Sequence, residues 1–307
     1  MLPAKVLISV CICTFRRPGG LEAAISSVAA QVLPVEVHIE VVVVDNDPNG
    51  TAHATIEKAA ETWPTLSIRY FNEKTPGVSY ARNRCLREAQ GHWIAFIDDD
   101  ESAVSDWLQH LYRTATLHKA DAVFGPVLPV YEMEPPSWLA STGAVSRARF
   151  KTGHRIQWPD ARTGNVLMSQ HLAAAVGSFD DRFARTGGED SLFFARAESK
   201  GLSLVWCDEA VIHEYVPAQR MKKSWVLQRA FHGGRTYTRL RVALDGRSQY
   251  VKWFAHALAS IAVFTLPCLV YWLLGSPRLV VYQRKLYGAA GKMAAAFYNR
   301  GEYGKTS

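Results

Sequence analysis

Four consecutive acidic residues, Asp98–Glu101, directly follow a short apolar run, Trp93–Ile97. The run is rich in residues that favour strands, so the pattern predicts a buried strand that ends in acid. Neighbouring carboxylates repel one another, and proteins relieve this repulsion by raised pKa values or by a divalent cation bound through oxygen. The alternative is a solvated acidic turn before a helix that we expect from Ser105.

Strand-like and helix-like segments alternate in the chain up to and beyond this acidic stretch. The predicted strands are 5–13, 38–44, 66–71, 93–97, 122–130, 163–169, 202–206 and 210–213, and the predicted helices are 21–33, 51–63, 78–90, 105–118 and 191–200. Such alternation implies right-handed crossovers, and therefore an α/β fold with a mostly parallel, Rossmann-like sheet and helices on both faces. Residues 131–159 lack periodicity, and we interpret this long loop as a functional lid.

Polar loops follow four of these strands, after Cys13, Val44, Phe71 and Ile97. If the strands are parallel neighbours, these loops converge on one edge of the sheet, where ligands of open α/β folds bind. The sequence contains no Gly-x-Gly-x-x-Gly after the first strand and no P-loop, which argues against a dinucleotide or P-loop site. A divalent cation on Asp98 and Asp100 is the available means of binding nucleotide phosphates.

The charge is distributed unevenly along the 307 residues. Residues 215–307 contain 15 Lys and Arg but only two Asp and Glu, out of 35 and 28 in the whole chain. A basic tail on an acidic body suggests a polyanionic partner, either nucleic acid or an anionic membrane. The five cysteines lack metal-ligand spacing, which favours reduced thiols in a cytosolic compartment, and we recognise no signal peptide.

The tail begins with a predicted basic helix, 221–244, and then has a run without charged residues, 253–274. This run is long enough to span a bilayer, but Pro267 and the basic residues on both flanks favour a kinked or re-entrant segment that returns to the same face. A buried core helix is the alternative. Residues 278–300 mix basic and apolar side chains, as an interfacial amphipathic helix does.

Five motifs resemble, in order and spacing, those of family 2 inverting glycosyltransferases of the GT-A fold. They are CICTFRRP at 11–18, VVVDN at 42–46, GVSYARN at 77–83, FIDDDE at 96–101 and GGED at 187–190. The resemblance covers about residues 6–213, and the tail is similar to those of bacterial exopolysaccharide enzymes of the succinoglycan side-chain type. It implies a catalytic domain, 1–214, with a nucleotide-binding half up to 130 and an acceptor half from 131. A membrane-associating helical region, 215–307, would follow.

The resemblance also implies roles for the matching residues. The residues implied to bind the nucleotide sugar are Thr14, Arg16, Asp45, Arg82, Asp98 and Asp99. Asp45 would accept from the uracil or ribose, and Arg82 would lie near the pyrophosphate. Asp100 would bind Mg2+ or Mn2+ together with Asp98. Asp190, directly behind Glu189, would be the general base, and these two acids are the predicted catalytic residues.

Some further candidates have a structural alternative. His213, at a strand end, could complete the metal site or be a structural histidine. Arg229, His232 and Arg235 could clamp the diphosphate, or they could form a solvated or membrane-facing basic surface.

Candidates for the acceptor side are Trp138, Gly164 and Asn165, with local packing as the alternative for Trp138. Trp158 could stack on an acceptor sugar in the same way. Glu101 is best interpreted as a helix N-terminal charge, or otherwise as an acid that supports the metal ligands.

Inverting transfer is one in-line displacement, so it needs a base on one side and charge stabilisation of the departing diphosphate on the other. We therefore predict a metal-dependent enzyme that moves a hexose from a UDP-sugar to a membrane-held, polyprenyl-diphosphate-linked saccharide at the cytoplasmic face of the inner membrane. This hypothesis requires Asp100 and Asp190 to face one cleft. The alternative is a membrane-associated nucleotide-sugar-binding or scaffolding subunit without turnover. Nucleic acid is not an expected partner, because the basic residues flank apolar ones.

Overall fold

The computed structural model describes residues 5–142 and 147–297, so residues 143–146 of the predicted lid and 298–300 of the last predicted helix lie outside the described residues. The chain divides into two compact units. The first consists of 1–128, 148–185 and 189–214, and the second of 129–147, 186–188 and 215–307. The second unit thus includes two short segments that the sequence analysis assigned to the catalytic domain.

Ten strands alternate with helices in the described residues. The strands are β1 Val6–Thr14, β2 Val37–Asp45, β3 Ser67–Asn72, β4 Trp93–Ile97, β5 Glu101–Ala103, β6 Ala122–Phe124, β7 Val127–Tyr131, β8 Asn165–Ser169, β9 Leu204–Trp206 and β10 Ile212–Val216. Seven of them form one sheet in the order β3-β2-β1-β4-β8-β6-β9. β1 pairs in parallel with β2 and β4, and β2 with β3, whereas β8 runs antiparallel to β4 and β6. The predicted, mostly parallel sheet is confirmed.

Helices cover both faces of this sheet. The helices of the chain are α1 Pro18–Ala29, α2 His53–Thr62, α3 Val78–Glu88, α4 Trp107–His118, α5 Ser137–Thr142, α6 Gln170–Val176, α7 Glu189–Ser199, α8 Lys223–Asp245, α9 Ser248–Leu273 and α10 Leu279–Ala294. Because strand side chains alternate, Val10 packs with residues of α1, α2 and α4, while Cys11 packs with residues of α3, α6 and α7. The sheet is therefore buried on both faces, which explains why its strands read as continuous apolar runs.

The predicted strand 122–130 forms two strands, because Gly125 and Pro126 interrupt it. Proline cannot donate to a strand ladder, and the carbonyl of Pro126 instead accepts from the backbone N–H of Ile212. β7 then joins a separate three-stranded sheet with the order β5-β10-β7. The last predicted strand, 210–213, begins two residues later than expected and extends to Val216.

In the second unit, α9 is one continuous helix through Pro267 and does not turn back within the apolar segment. It is long and apolar enough to cross a membrane, and only 6% of its most apolar window is buried, which does not fit a core helix. α10 packs against α8 and α9, and its approach to α8 is close: a Cβ on Gly291 would lie 1.9 Å from the Phe231 carbonyl oxygen. Glycine is therefore required where these two helices cross.

Candidate active site

The loops after β1, β2, β3 and β4 meet at one edge of the sheet, as predicted. Thr14 lies beside Asp45 in the parallel ladder, and Asp45 lies beside Asn72. The Thr14 Oγ1 also donates to Asp99 Oδ2 at 2.8 Å, which ties the end of β1 to the acidic segment after β4. Gly20, on α1, packs so closely that a Cβ there would lie 2.3 Å from the Asp99 carbonyl oxygen.

Arg17 links two of the clustered acids. Its Nη1 donates to Asp99 Oδ1 at 3.0 Å and to Asp100 Oδ2 at 2.9 Å. Burial raises the pKa of Asp99, and the charge of Arg17 opposes this rise. Sequence reasoning gave Arg17 no role, although the residue lies inside the first quoted motif.

Arg82 lies between the acidic segment and the start of α7. Its guanidinium, buried on α3, donates to Glu189 Oε1 and approaches Asp98 Oδ1 at 3.5 Å. Burial works to lower the pKa of Arg82, but Glu189, Asp98 and Asp190 outweigh it, so the pKa is raised and the guanidinium stays charged. The sheet edge and the Glu189-Asp190 pair therefore meet at one cation, although the residues are about a hundred positions apart in sequence.

Both carboxylates beside Arg82 have raised pKa values. Burial, opposed by Arg82, raises the pKa of Glu189 to about 7, and it raises that of Asp98 to about 6. The Oε2 atom of Glu189 is buried and has no hydrogen-bond partner among the described residues. The neighbouring Asp190 carboxylate has a hydrogen-bond partner, because its Oδ1 accepts from the backbone N–H of Ser191 at 2.7 Å, within the first turn of α7. The site thus contains a proton-binding carboxylate and a second acid next to it.

The prediction for Glu101 as a helix N-terminal charge is wrong. Glu101 begins β5, where it pairs with Glu214 of β10, and its Oε2 accepts from the Asp98 backbone N–H at 2.8 Å. Burial, followed by the charge of Asp98, raises the pKa of Glu101 well above its usual range. A Cβ on Gly164 would lie 2.9 Å from Glu101 Oε1 and 3.3 Å from Asp98 Oδ2, so Gly164 lines the acidic cluster.

The acidic cluster suits a divalent cation chemically, but it is not arranged as a finished metal site. Within residues 5–142 and 147–297 no group of three His, Cys, Asp or Glu side chains is placed to hold a metal ion. Asp100 and Glu214 nevertheless both raise the pKa of Asp98, so the cluster has surplus negative charge that a cation would relieve. His213 lies opposite Ser102 in the β5–β10 ladder, beside this cluster in sequence and register.

The loop after β2 is held by its own acids. Asp45 is fully buried and accepts from the backbone N–H groups of Asp47 and Ala52, at 2.9 and 2.8 Å, and from the Tyr70 hydroxyl at 3.2 Å. A contact with uracil or ribose would require Asp45 to exchange these partners. Arg16 is ion-paired with Asp47 at 2.9 Å, and sequence reasoning missed Asp47 although it lies in the same polar loop.

Asn165 does not fit the predicted contact with the acceptor. It is buried, its Oδ1 accepts from Trp107 Nε1 at 2.9 Å, and its Nδ2 donates to the carbonyls of Pro126 and Ala210. These bonds fix the interior where β6 and β8 meet. Trp158 packs against the core on the α3, α6 and α7 side of the sheet, which agrees with local packing.

The remaining candidates lie in the second unit. Trp138 packs with Leu139 in a small apolar cluster, again in agreement with local packing. Arg235 is buried, with its Nη2 at 3.3 Å from His232 Nδ1, while Arg229 lies 5.1 Å from the ring centre of Trp225. Arg235 is therefore not part of a solvated basic surface.

Comparison with known proteins identifies the family. The model of glycosyl transferase family 2 matches residues 9–174, and that of glycosyl transferase family group 2 matches residues 93–294. The chain belongs to glycosyl transferase family 2. This glycosyltransferase is 34% identical over 247 residues to the succinoglycan biosynthesis protein ExoM of Rhizobium meliloti (strain 1021), covering 78% of this chain and 77% of that protein. It is also 24% identical over 247 residues to the glucosyl-dolichyl phosphate glucuronosyltransferase of Haloferax volcanii, covering 75% of each chain.

Solved structures confirm the predicted GT-A type of fold. S. aureus TarS 1-349 in complex with UDP matches with a TM-score of 0.54 and 16% identity, over 98% of this chain and 95% of that one. GalNAc-T7 with UDP, GalNAc and Mn2+ matches with a TM-score of 0.59 and 15% identity, over 78% of this chain and 48% of that one. At such identities the likeness shows the fold alone.

Proposed function

We propose that this glycosyltransferase moves a hexose, with inversion, from a UDP-sugar to a membrane-held, polyprenyl-diphosphate-linked saccharide during polysaccharide biosynthesis. The similarity to a succinoglycan biosynthesis protein supports the pathway class, and the UDP complexes of fold relatives support the donor. The observation that carries the proposal is the position of Arg82, in contact with Asp98 after β4 and with Glu189 at the start of α7. A nucleotide edge and a catalytic acid pair thereby belong to one site.

In the proposed reaction, Asp190 takes the proton of the acceptor hydroxyl as the hydroxyl oxygen bonds to the anomeric carbon, and the bond to the UDP diphosphate breaks. Arg82 fixes Glu189 beside this base, so that the acid pair keeps its orientation. A bound Mg2+ or Mn2+ would supply positive charge for the departing diphosphate. Asp98 and Asp100 are the residues that would hold it, with His213 as the proposed third ligand.

The test is transfer by the purified protein with UDP-sugars, Mn2+ and a lipid-linked acceptor, read as UDP release. We expect Asp190→Asn to lower turnover by at least about a hundredfold and to change UDP-sugar affinity by less than about threefold. Asp106→Asn, an exposed aspartate before α4, is the matched control and should leave both quantities unchanged. If Asp190→Asn kept more than about a tenth of the turnover, the base would be another residue.

The same assay tests the alternative of a binding subunit. That alternative predicts UDP-sugar binding by the unaltered protein without any UDP release in the presence of acceptor. We favour the enzyme because a binder needs no raised-pKa carboxylate with an unpartnered buried oxygen, as Glu189 has.

We also propose that the protein works at the cytoplasmic face of the inner membrane. The basic residues of the second unit and the exposed apolar surface of α9 support a lipid partner rather than nucleic acid. A membrane-held acceptor requires the enzyme to work at a membrane surface.

A further inference from the structure

The helix α9 presents a wide apolar surface that the second unit does not cover. Only Ala257 of its residues is fully buried. The exposed large side chains of the segment are Val251, Leu258, Val263, Leu266, Leu269, Val270, Trp272, Leu273 and Leu274. Leu266, Trp272 and Leu273 each keep more than 60% of their surface exposed. An apolar face of this extent marks an interaction surface.

The opposite face of α9 packs along α10, and the two helices run antiparallel. The ring of Tyr271 stacks on that of Tyr282, with centres 5.1 Å apart, and further along the Lys285 Nζ lies 4.3 Å from the ring centre of Phe264. Near the start of α9, the Lys292 Nζ lies 4.8 Å from the ring centre of Trp253. Lysines of α10 thus lie alongside α9 over much of its length.

This arrangement conflicts with a membrane crossing. Phe264 is at the middle of the charge-free run 253–274, so a spanning α9 would hold the Lys285 ammonium near the bilayer centre. The centre is about 15 Å from the headgroups, too far for a lysine side chain to reach them, and a charge there is costly. An α9 that lies parallel to the surface keeps the same lysine at headgroup level.

The surrounding charge indicates which surface covers the apolar face. Residues 215–307 contain 15 Lys and Arg against two Asp and Glu. Arg247 and Lys252 stand at the start of α9, and Arg278 follows its end. These cations complement anionic lipid headgroups, whereas a second copy of the chain would bring the same positive charge and be repelled.

We propose that α9 lies in the plane of an anionic lipid bilayer, with its exposed apolar face among the upper acyl chains and the basic residues of the second unit at the phosphates. This assignment rests on the proposed function, since it describes how the enzyme would reach a membrane-held acceptor. It replaces a transmembrane or re-entrant anchor by a peripheral one that enters a single leaflet.

The first test measures co-flotation of the full-length protein with vesicles of phosphatidylcholine alone or with added phosphatidylglycerol, at several salt concentrations. We expect partitioning into the vesicles to rise with phosphatidylglycerol and to fall with salt. The double variant that combines Leu266→Asp and Leu269→Asp should partition at least about tenfold more weakly than the parent. Leu117→Asp, on an equally exposed leucine of α4, is the matched control and should change it by less than about twofold. Equal partitioning of the double α9 variant and the parent would overturn the proposal, as would self-association that buries α9 without vesicles.

The second test distinguishes the in-plane from the inserted arrangement. Ser248→Cys lies at the start of α9, and Ser276→Cys lies in the turn between α9 and α10. With protein bound to the outside of vesicles, both variants should react with a membrane-impermeant maleimide above the background of the parent's native thiols. If the Ser276→Cys variant reacted only after detergent, α9 would span or insert as a hairpin and the proposal would be wrong.

Failure of this proposal is separable from failure of the proposed function. Calorimetric titration of UDP in the absence of lipid reports on the first unit, and the α9 variants should bind UDP like the parent. Vesicle binding without UDP binding would refute the proposed function and leave the proposed membrane binding intact. UDP binding without vesicle binding would refute the proposed membrane binding and leave the proposed function intact.

Discussion

Replacing Glu189 by Gln should make the protein more stable at alkaline pH, although the change removes one partner of a buried ion pair. The reason is the raised pKa of Glu189, about 7 in the folded state, for which burial is the main cause. A carboxyl group whose pKa is higher in the folded than in the unfolded state binds protons preferentially when folded. Its contribution to stability is therefore lost as the pH rises from the unfolded pKa toward the folded one.

The size of this effect follows from the two pKa values. The ordinary pKa of Glu is 4.5, so the folded state raises it by 2.5 units, and each unit corresponds to about 1.4 kcal/mol. The ionised Glu189 therefore destabilises the fold by about 3 kcal/mol above pH 7, relative to pH 4.5. Gln has the shape of the protonated acid and does not ionise, so Glu189→Gln removes this pH-dependent loss. Arg82 retains its contact with Asp98.

The measurement is urea unfolding of the parent and Glu189→Gln at pH 5 and pH 8. We expect the variant to have an advantage in free energy of unfolding of about 1 kcal/mol at pH 5 and of about 3 kcal/mol at pH 8. Glu57→Gln, on a side chain that is 66% exposed, should change stability by less than about 0.5 kcal/mol at either pH. A Glu189→Gln variant that is less stable than the parent at pH 8 would refute the reasoning, because the Arg82 pair would then outweigh burial.

Two further predictions concern the edge of the sheet. Gly20→Ala should lower the free energy of unfolding, measured by chemical denaturation, by about 1–3 kcal/mol, because the added Cβ would meet the Asp99 carbonyl oxygen. The control is Gly19→Ala, whose added Cβ would have no atom within 4 Å, and it should leave the stability unchanged or raise it. Asp100→Asn should weaken Mn2+ binding, followed by electron paramagnetic resonance without donor, by at least about tenfold, with Asp106→Asn as control. Equal Mn2+ affinity of the Asp100 variant and the parent would place the cation elsewhere.

The convergence of the loops at the sheet edge could be predicted from sequence because it depends on local patterns. Apolar runs that end in polar residues, such as Trp93–Ile97 before Asp98, mark strands and their ends, and alternating helices make the strands parallel. The antiparallel direction of β8 was not predicted, because the apolar pattern of residues 163–169 indicates a strand but not its direction in the sheet. The interruption of the predicted strand 122–130 at Pro126 could have been predicted from the proline itself, but the proline was interpreted as part of one strand.

The partners within the site could not be predicted, because they join positions far apart in sequence. The Arg82–Glu189 contact and the pairing of Glu101 with Glu214 each depend on how whole elements pack. Spacing along the chain shows which residues share an element, but it does not show which residues of two elements meet. For this reason a buried strand residue, Glu101, was read as a helix-start charge.

The two arginines of the site differ in a way that assigns different properties to its two sides. Arg82 is buried between Glu189 and Asp98, so any movement would leave buried charge uncompensated, and this side is held rigid. Arg17 is 37% exposed where it bridges Asp99 and Asp100, so water reaches its guanidinium, although the two carboxylates are only 8% and 18% exposed. An arriving cation would compensate the charge of Asp99 and Asp100 if Arg17 moved away, whereas the contacts of Arg82 hold the acid pair at the start of α7 in place. In the proposed reaction, a base held in place beside a more accessible phosphate side would suit a single in-line displacement.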